Sequence, residues 1–134
     1  MKNKILVVGA NFYEDILADQ ITETKLVLLK NKFIIDWIQV PGVFEIPVTI
    51  SKNIKKYDGI IALGCVIKGE TPHFDFISKT TIDAIMKLSI DYKKPIGNGI
   101  ITCLNKDQAI VRSKSKGKEA ANAVVTVLKN DSKS

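Results

Sequence analysis

The sequence predicts an α/β fold, a three-layer α/β/α sandwich with a four-stranded parallel sheet and helices on both faces. Four apolar runs rich in Ile and Val recur along the chain, and segments with apolar residues at helical spacing separate them. Strands that alternate with helices pair in parallel through right-handed crossovers, which cover both faces of the sheet. We therefore expect a flavodoxin-like strand order within a single domain, residues 1–134.

The first half of the chain contains two predicted strands and two predicted helices. Residues 4–9 are a continuous apolar run ending in glycine, which is typical of a buried parallel strand. Residues 13–31 carry apolar side chains at near-helical spacing, and residues 33–40 return to β-type residues. Pro41 and Gly42 then break the chain before a helix over residues 44–55.

The second half repeats this alternation. Residues 58–67 form a strand-like run, residues 73–92 have the spacing of a long helix, and residues 95–103 form a fourth strand interrupted by a Gly-Asn-Gly sequence. Two further helices are expected over residues 105–112, which begin with asparagine as a good N-cap, and 116–128. The polar tail from about residue 130 to 134 is expected to fray.

The net charge of +6 comes almost entirely from lysine. Nineteen of the 20 basic residues are lysines, Arg112 is the sole arginine, and His73 is the sole histidine. The lysines are scattered, and no aromatic residues alternate with them as a nucleic-acid stacking surface requires. A solvated lysine-rich surface is therefore favoured over nucleic-acid binding. Because the chain has one histidine and one arginine, chemistry that needs an imidazole or a guanidinium can use only His73 or Arg112.

Cysteine usage indicates a reducing compartment. Cys65 and Cys103 lie in separate strand-like runs, and no CxxC or His/Cys cluster indicates structural zinc or a disulfide framework. Together with Trp37 they are predicted core residues. The N-terminal apolar run is too short for a signal peptide or a membrane helix, so a cytoplasmic protein with no membrane partner is expected.

Candidate site residues follow the strands. Ligands of such folds bind beyond the carboxyl ends of the strands, and unusual segments occur there at residues 11–13, 41–45, 68–73 and 98. No GxGxxG or phosphate-binding loop follows the first strand, which disfavours dinucleotides and nucleoside triphosphates. The site is therefore expected to take another kind of ligand.

The segment 69–73 has the composition of a strand-to-helix turn. Gly69 permits a tight turn, Thr71 is a good N-cap, and Pro72 suits the first helical position. Turn chemistry alone accounts for these residues, but the exposed N–H groups at such a helix start also attract anions such as phosphate. His73, expected in the first turn, is a candidate general base or a bystander.

Four other residues have both a structural and a functional interpretation. Phe12 is either core or an aromatic lid over a flat ring, and Glu45 either complements a helix dipole or accepts hydrogen bonds from hydroxyls. Arg112, expected near a helix end, either complements the dipole or binds phosphate through its fork. Asn98 lies between glycines that would leave open space around its amide.

Taken together, these segments resemble the lumazine synthase family over nearly the whole chain. The most specific are VPGVFEIP at 40–47 and LGCVIKGETPHFD at 63–75, supported by ANFY at 10–13, GNGI at 97–100 and KGKEAA at 116–121. The resemblance implies condensation of 5-amino-6-(D-ribitylamino)uracil with 3,4-dihydroxy-2-butanone 4-phosphate, the penultimate step of riboflavin biosynthesis, without metal or organic cofactor. It also implies a homo-oligomer, a pentamer or a multiple of one, with active sites between subunits, and riboflavin synthase as a partner.

The resemblance assigns roles residue by residue. It implies that His73 moves protons and that Arg112 binds the phosphate from a neighbouring subunit, while Glu70 and Thr71 bind the same phosphate through a backbone N–H and a hydroxyl. The residues implied for the ribitylaminouracil are Phe12, stacked on the pyrimidine; Val43, Phe44 and Glu45, along the ribityl chain; Cys65, Val66 and Ile67, largely through backbone; and Asn98.

Some residues depart from the family pattern. Lys68 stands where arginine is frequent, Glu70 brings a carboxylate beside the expected phosphate site, and Tyr13 replaces an asparagine found in some members. A short segment after Arg112 and a start close to the first strand leave the size of the assembly open. A non-catalytic flavin- or lumazine-binding protein of the same fold is the main alternative, and a nucleic-acid module is a distant third.

Overall fold

Four parallel strands form one sheet in the order β2-β1-β3-β4 in the computed structural model, which describes residues 2–70 and 73–130. The strands are β1 (Lys4–Ala10), β2 (Ile34–Val40), β3 (Gly59–Ile67) and β4 (Ile96–Cys103). All nine residues of β3 are buried, because this central strand is covered on both faces. The parallel sheet and its flavodoxin-like order confirm the predicted fold class.

Helices cover both faces of the sheet. They are α1 (Glu14–Lys30), α2 (Ile46–Asn53), α3 (Phe74–Tyr92) and α4 (Lys106–Asn130), with 3₁₀ turns at Val43–Glu45 and Ile54–Lys56 on either side of α2. Alternate strand residues point to opposite faces, so Ile5 and Val7 pack under α1 and α4, whereas Leu6 and Val8 pack under α2 and α3. The two apolar cores on either side of the sheet complete the three layers.

Helix α4 corrects one prediction. Residues 105–112 and 116–128 were expected to form two helices, but the structure has one continuous helix. Two small residues of this helix, Ser113 and Gly117, are buried where α4 crosses α1. A Cβ at Gly117 would lie 2.6 Å from the carbonyl oxygen of Gln20, and Thr24 Oγ1 donates to the carbonyl of Gly117 at 3.3 Å. These small residues therefore allow α4 to pack closely on α1 as one continuous helix.

The prediction that Trp37 belongs to the core is wrong. Its side chain is 40% exposed, because β2 is an edge strand and only Val40 at its carboxyl end is fully covered. The predicted N-cap at Asn105 is confirmed, since its Oδ1 accepts from the backbone N–H of Gln108 at 2.9 Å. Among residues 2–70 and 73–130, no helix has the length and apolar character needed to cross a membrane.

Candidate active site

A shallow groove of about 120 Å³ opens at the carboxyl ends of β1, β2 and β3. It lies on the α2/α3 side of the sheet, where Val43 and Val66 belong to the buried core. Its lining comprises Phe12, Gly42, Val43, Phe44, Cys65, Val66 and Ile77. Five of the predicted ring- and ribityl-binding residues therefore converge on one groove, as expected for parallel strands that end at the same edge.

Two exposed aromatic rings border this groove. Phe12 is 68% exposed and Phe44 is 56% exposed, so Phe12 is not a core residue. The ring of Phe12 packs edge to face on Tyr13, with ring centroids 4.9 Å apart and planes at 83°. Large apolar side chains rarely stay exposed beside an apolar floor unless a partner covers them. The faces of these rings suit a flat conjugated ligand.

Glu45 brings a carboxylate to the same edge. It ends the 3₁₀ turn Val43–Glu45, and its backbone N–H donates to the carbonyl of Gly42 at 3.1 Å. A Cβ at Gly42 would lie 3.1 Å from Glu45 Oε1, so the carboxylate folds back over this glycine of the groove lining. An ionised carboxylate in that position can only accept hydrogen bonds, which suits a ligand rich in hydroxyl groups.

The turn after β3 is open and polar. Gly69 has a φ of 86°, a left-handed conformation that favours glycine, and nothing lies within 4 Å of an added Cβ. The Glu70 carboxylate accepts a hydrogen bond from the Tyr13 hydroxyl at 3.0 Å, and the Glu70 N–H donates to the Ile67 carbonyl at 3.3 Å. The predictions for Thr71 as N-cap and phosphate ligand and for Pro72 as first helical residue lie outside the described residues.

His73 occupies the N-cap position of α3 rather than its first turn. The helix begins at Phe74, and His73 has left-handed backbone angles of φ 59° and ψ 37°. Its carbonyl accepts from the N–H of Ile77, a residue of the groove lining, at 2.9 Å. The exposed imidazole therefore lies one helical turn before the groove wall. The sequence did not mark Ile77 as a site residue, although its place on the buried face of a predicted helix was a usable signal.

Asn98 and Ile67 do not join the groove of their own chain. Asn98 pairs in register with Ala62, four residues before Val66, which is about 13 Å along a strand. Its Oδ1 accepts from the backbone N–H of Ile100 at 3.0 Å. Ile67 is completely buried on the α1/α4 side, so only its backbone can reach a ligand.

The prediction that Gly97 and Gly99 leave open space around the Asn98 amide is wrong. A Cβ on Gly97 would overlap the carbonyl oxygen of Ala120 in α4. A Cβ on Gly99 would lie 2.6 Å from Leu63 Cδ2 and 2.9 Å from the Ala62 carbonyl oxygen. Gly97 therefore lets helix α4 approach the sheet closely, whereas Gly99 leaves room for the Leu63 side chain of the neighbouring strand β3.

Arg112 lies on a different surface of the chain. It sits within α4 rather than near a helix end, is exposed, and donates through Nη1 to the Thr102 carbonyl on edge strand β4 at 3.2 Å. The surrounding cavity, about 370 Å³, is lined by Ile100, Ile101, Thr102, Arg112, Ser115, Lys116 and Glu119. None of these residues lines the Phe12 groove. Arg112 belongs to α4, which covers the face of the sheet opposite the one on which the Phe12 groove opens.

The two cysteines are buried free thiols, which confirms their assignment to the core. Burial, with the neighbouring Cys103 as the next cause, raises the pKa of Cys65 to about 12. The thiol is therefore a poor nucleophile near neutral pH. Among the described residues, no group of three or more His, Cys, Asp and Glu side chains is arranged to hold a metal ion.

This burial predicts strong protection from alkylation. At pH 8, iodoacetamide should modify neither Cys65 nor Cys103 of the native protein within an hour, because both thiols are buried and the raised pKa of Cys65 keeps that thiol protonated. Both should react fully in guanidinium chloride, where unfolding exposes them. Intact-mass spectrometry counts the added groups. Rapid modification of Cys65 in the native state would contradict the assigned burial.

The fold and site define an α/β protein of flavodoxin-like topology, with a ligand groove at the carboxyl edge of its sheet and its arginine on a separate surface. The model of the 6,7-dimethyl-8-ribityllumazine synthase family matches residues 2–131. The chain therefore belongs to this family.

Relatives of the same name support this assignment. The 6,7-dimethyl-8-ribityllumazine synthase of Agrobacterium fabrum is 41% identical over an alignment that covers 95% of this chain and 93% of the relative. For 6,7-dimethyl-8-ribityllumazine synthase 1 of Rhodopseudomonas palustris, the identity is also 41%, with 94% and 84% covered. The corresponding synthase of Aliarcobacter butzleri is 39% identical, with 93% and 84% covered.

Proposed function

We propose that this chain condenses 5-amino-6-(D-ribitylamino)uracil with 3,4-dihydroxy-2-butanone 4-phosphate, giving 6,7-dimethyl-8-ribityllumazine, phosphate and water. Such an enzyme is a transferase of riboflavin biosynthesis. The observation that carries the proposal, beside family membership, is the groove in which exposed Phe12 and Phe44 border an apolar floor beside the Glu45 carboxylate. That arrangement suits a flat pyrimidine with a polyhydroxy chain.

The pyrimidine substrate is proposed to lie in this groove. Phe12 stacks on the ring, and the turn of Val43, Phe44 and Glu45 holds the ribityl chain, with the Glu45 carboxylate accepting from its hydroxyls. The backbone of the β3 end contacts the ring edge through Cys65, Val66 and Ile67. The high pKa of the Cys65 thiol supports this backbone role over a nucleophilic one.

The chemistry asks little of the protein beyond orientation, proton transfer and an anion site. The substrate amine is already a nucleophile, so holding it against the carbonyl of the second substrate removes most of the entropic cost of the encounter. We assign His73 to the proton transfers of imine formation and phosphate loss. Glu70, through its backbone, and Thr71 are assigned to the phosphate of the second substrate.

A homo-oligomer with active sites between subunits is part of the proposal. The separation of Arg112 from its own groove supports it, since a neighbouring subunit would bring Arg112, and with it the β4 edge that carries Asn98, to the site. Met86 and Ile90, one turn apart on α3, are also exposed together, and an exposed apolar patch is typical of an interaction surface. We propose a pentamer or a multiple of one, with riboflavin synthase as a partner on the resemblance alone.

A cytoplasmic location is also proposed. Cys65 and Cys103 are both free thiols, which is the state that a reducing compartment maintains.

Turnover tests the function directly. Purified protein mixed with both substrates should form the lumazine, followed by its absorbance and fluorescence, faster than the spontaneous condensation. The His73→Ala variant should lose about 10²-fold in kcat, the lower end of a general acid–base contribution, because the amine needs no activation. A wild-type rate no higher than the spontaneous one would refute the enzyme, and tight riboflavin binding without turnover would favour the non-catalytic alternative.

A further inference from the structure

We propose that Tyr13 is a positioning residue for the phosphate subsite, because its hydroxyl holds the Glu70 carboxylate away from the bound phosphate. This inference rests on the proposed function. The hydroxyl donates to Glu70 Oε1 at 3.0 Å and so joins the loop after β1 to the loop after β3, across 57 positions of sequence. Glu70 is the residue whose charge conflicts with a phosphate site in the same loop.

The packing of Tyr13 sets the direction of this hydrogen bond. Tyr13 packs against the buried cluster on the α1/α4 side of the sheet, which includes Ile16 and Cys65. The Phe12 groove lies on the α2/α3 side, with Val43 and Val66. A carboxylate held by the Tyr13 hydroxyl is therefore drawn toward the α1/α4 side, near Cys65, and away from Val43 and Val66 on the other side of the groove.

The charges around Tyr13 favour the same position. Lys106 Nζ lies 5.7 Å from the centroid of the Tyr13 ring and 3.3 Å from the Asp15 carboxylate. A carboxylate beside the Tyr13 hydroxyl is therefore near a cation, whereas in the phosphate subsite it would face a like charge. The hydrogen bond from the Tyr13 hydroxyl therefore stabilises the position of the Glu70 carboxylate beside Tyr13 over its position in the phosphate subsite.

The Tyr13→Phe variant isolates the hydroxyl. It keeps the ring that packs edge to face on Phe12 and lies beneath Lys106, so the pyrimidine groove should stay intact. With Glu70 released, KM for the phosphate substrate should rise about five- to tenfold, while kcat and KM for the pyrimidine change less than about twofold.

Charge removal should rescue this variant. In the Tyr13→Phe/Glu70→Gln double variant the freed side chain carries no charge, so KM for the phosphate substrate should return to the wild-type value. If the hydrogen bond merely holds the two loops together, the double variant stays as impaired as Tyr13→Phe, and that result would overturn the proposal. Unchanged kinetics in Tyr13→Phe would overturn it as well.

Tyr57→Phe is the matched control. Tyr57 also donates to a carboxylate, Asp36 Oδ2 at 2.6 Å, but β3 begins just after it, at the end of the sheet opposite the groove. Its loss should leave both KM values unchanged. A matching rise in KM in this control would show a general effect of losing a tyrosine hydroxyl and would count against the proposal.

A binding measurement separates this inference from the proposed function. Titration calorimetry with inorganic phosphate needs no turnover, and Tyr13→Phe should weaken phosphate binding by the same factor as it raises KM. If the wild-type protein is inactive but binds phosphate more tightly than Tyr13→Phe does, the proposed condensation is refuted and the role of Tyr13 stands. An active wild-type protein with equal phosphate affinity in both forms would refute the role of Tyr13 alone.

Discussion

Replacing Arg112 with alanine is expected to raise KM for 3,4-dihydroxy-2-butanone 4-phosphate by about 10- to 100-fold, with KM for the pyrimidine unchanged. A hydrogen bond to a charged group contributes about 1.5–3 kcal/mol, and each 1.4 kcal/mol corresponds to a factor of ten. Arg112 is the only arginine of the chain and is exposed, and its Nη1 donates one hydrogen bond to the Thr102 carbonyl. Its remaining donors are available to a phosphate. Steady-state kinetics with each substrate varied in turn measures the effect.

The Arg112→Lys variant is the control for geometry. Lysine keeps the positive charge but loses the planar fork, so an intermediate KM is expected if bidentate contact contributes. An alanine variant with the wild-type KM for the phosphate substrate would remove Arg112 from the site.

Mixed oligomers test where Arg112 acts. Arg112→Ala chains and Phe12→Ala chains, each impaired alone, can be unfolded together and reassembled in equal amounts. If the groove and Arg112 come from different subunits, about a quarter of the sites in random mixtures combine a wild-type groove with a wild-type arginine, and activity returns in that proportion. If both parts come from one chain, mixing recovers nothing.

Local patterns were sufficient to predict the sheet, most helices and the edge that carries the site. Buried parallel strands require continuous apolar runs, and β3 shows this in its nine buried residues. Because parallel strands all end at one edge, residues at or just after the carboxyl ends of β1, β2 and β3 had to lie near one another, and Phe12, Val43 and Cys65 do.

The errors arose where a distant partner decides the outcome. Residues 113–115, the expected gap between two helices, are helical, and Ser113 is buried there with its hydroxyl against Asp19 of α1. Trp37 lies in an apolar run, and only the strand order reveals that this run is an edge. The contact between Tyr13 and Glu70 joins loops that no local pattern connects. Each case is tertiary packing overriding a sound local interpretation.

The second large effect concerns folding. Gly97→Ala should lower the free energy of unfolding by about 3 kcal/mol or more, above the usual cost of overpacking a core. The added methyl group would overlap the Ala120 carbonyl oxygen and lie 2.9 Å from its carbon, and both atoms belong to the backbone of α4. A helix backbone cannot rotate away as a side chain does, so α4 would have to move off the sheet.

Gly9→Ala supplies the matched comparison, since it adds the same methyl group to another strand of the same sheet. Its Cβ would lie 2.8 Å from Leu17 Cδ1, the far end of a flexible side chain, which can change rotamer. We expect a loss of about 1 kcal/mol or less, because a smaller overlap is partly offset by the lower entropy of the unfolded chain. Guanidinium denaturation of both variants at one protein concentration gives the two free energies. Equal losses would show that α4 is free to shift on the sheet, whereas a larger loss for Gly97→Ala identifies the backbone contact at Ala120 as the reason for glycine beside Asn98.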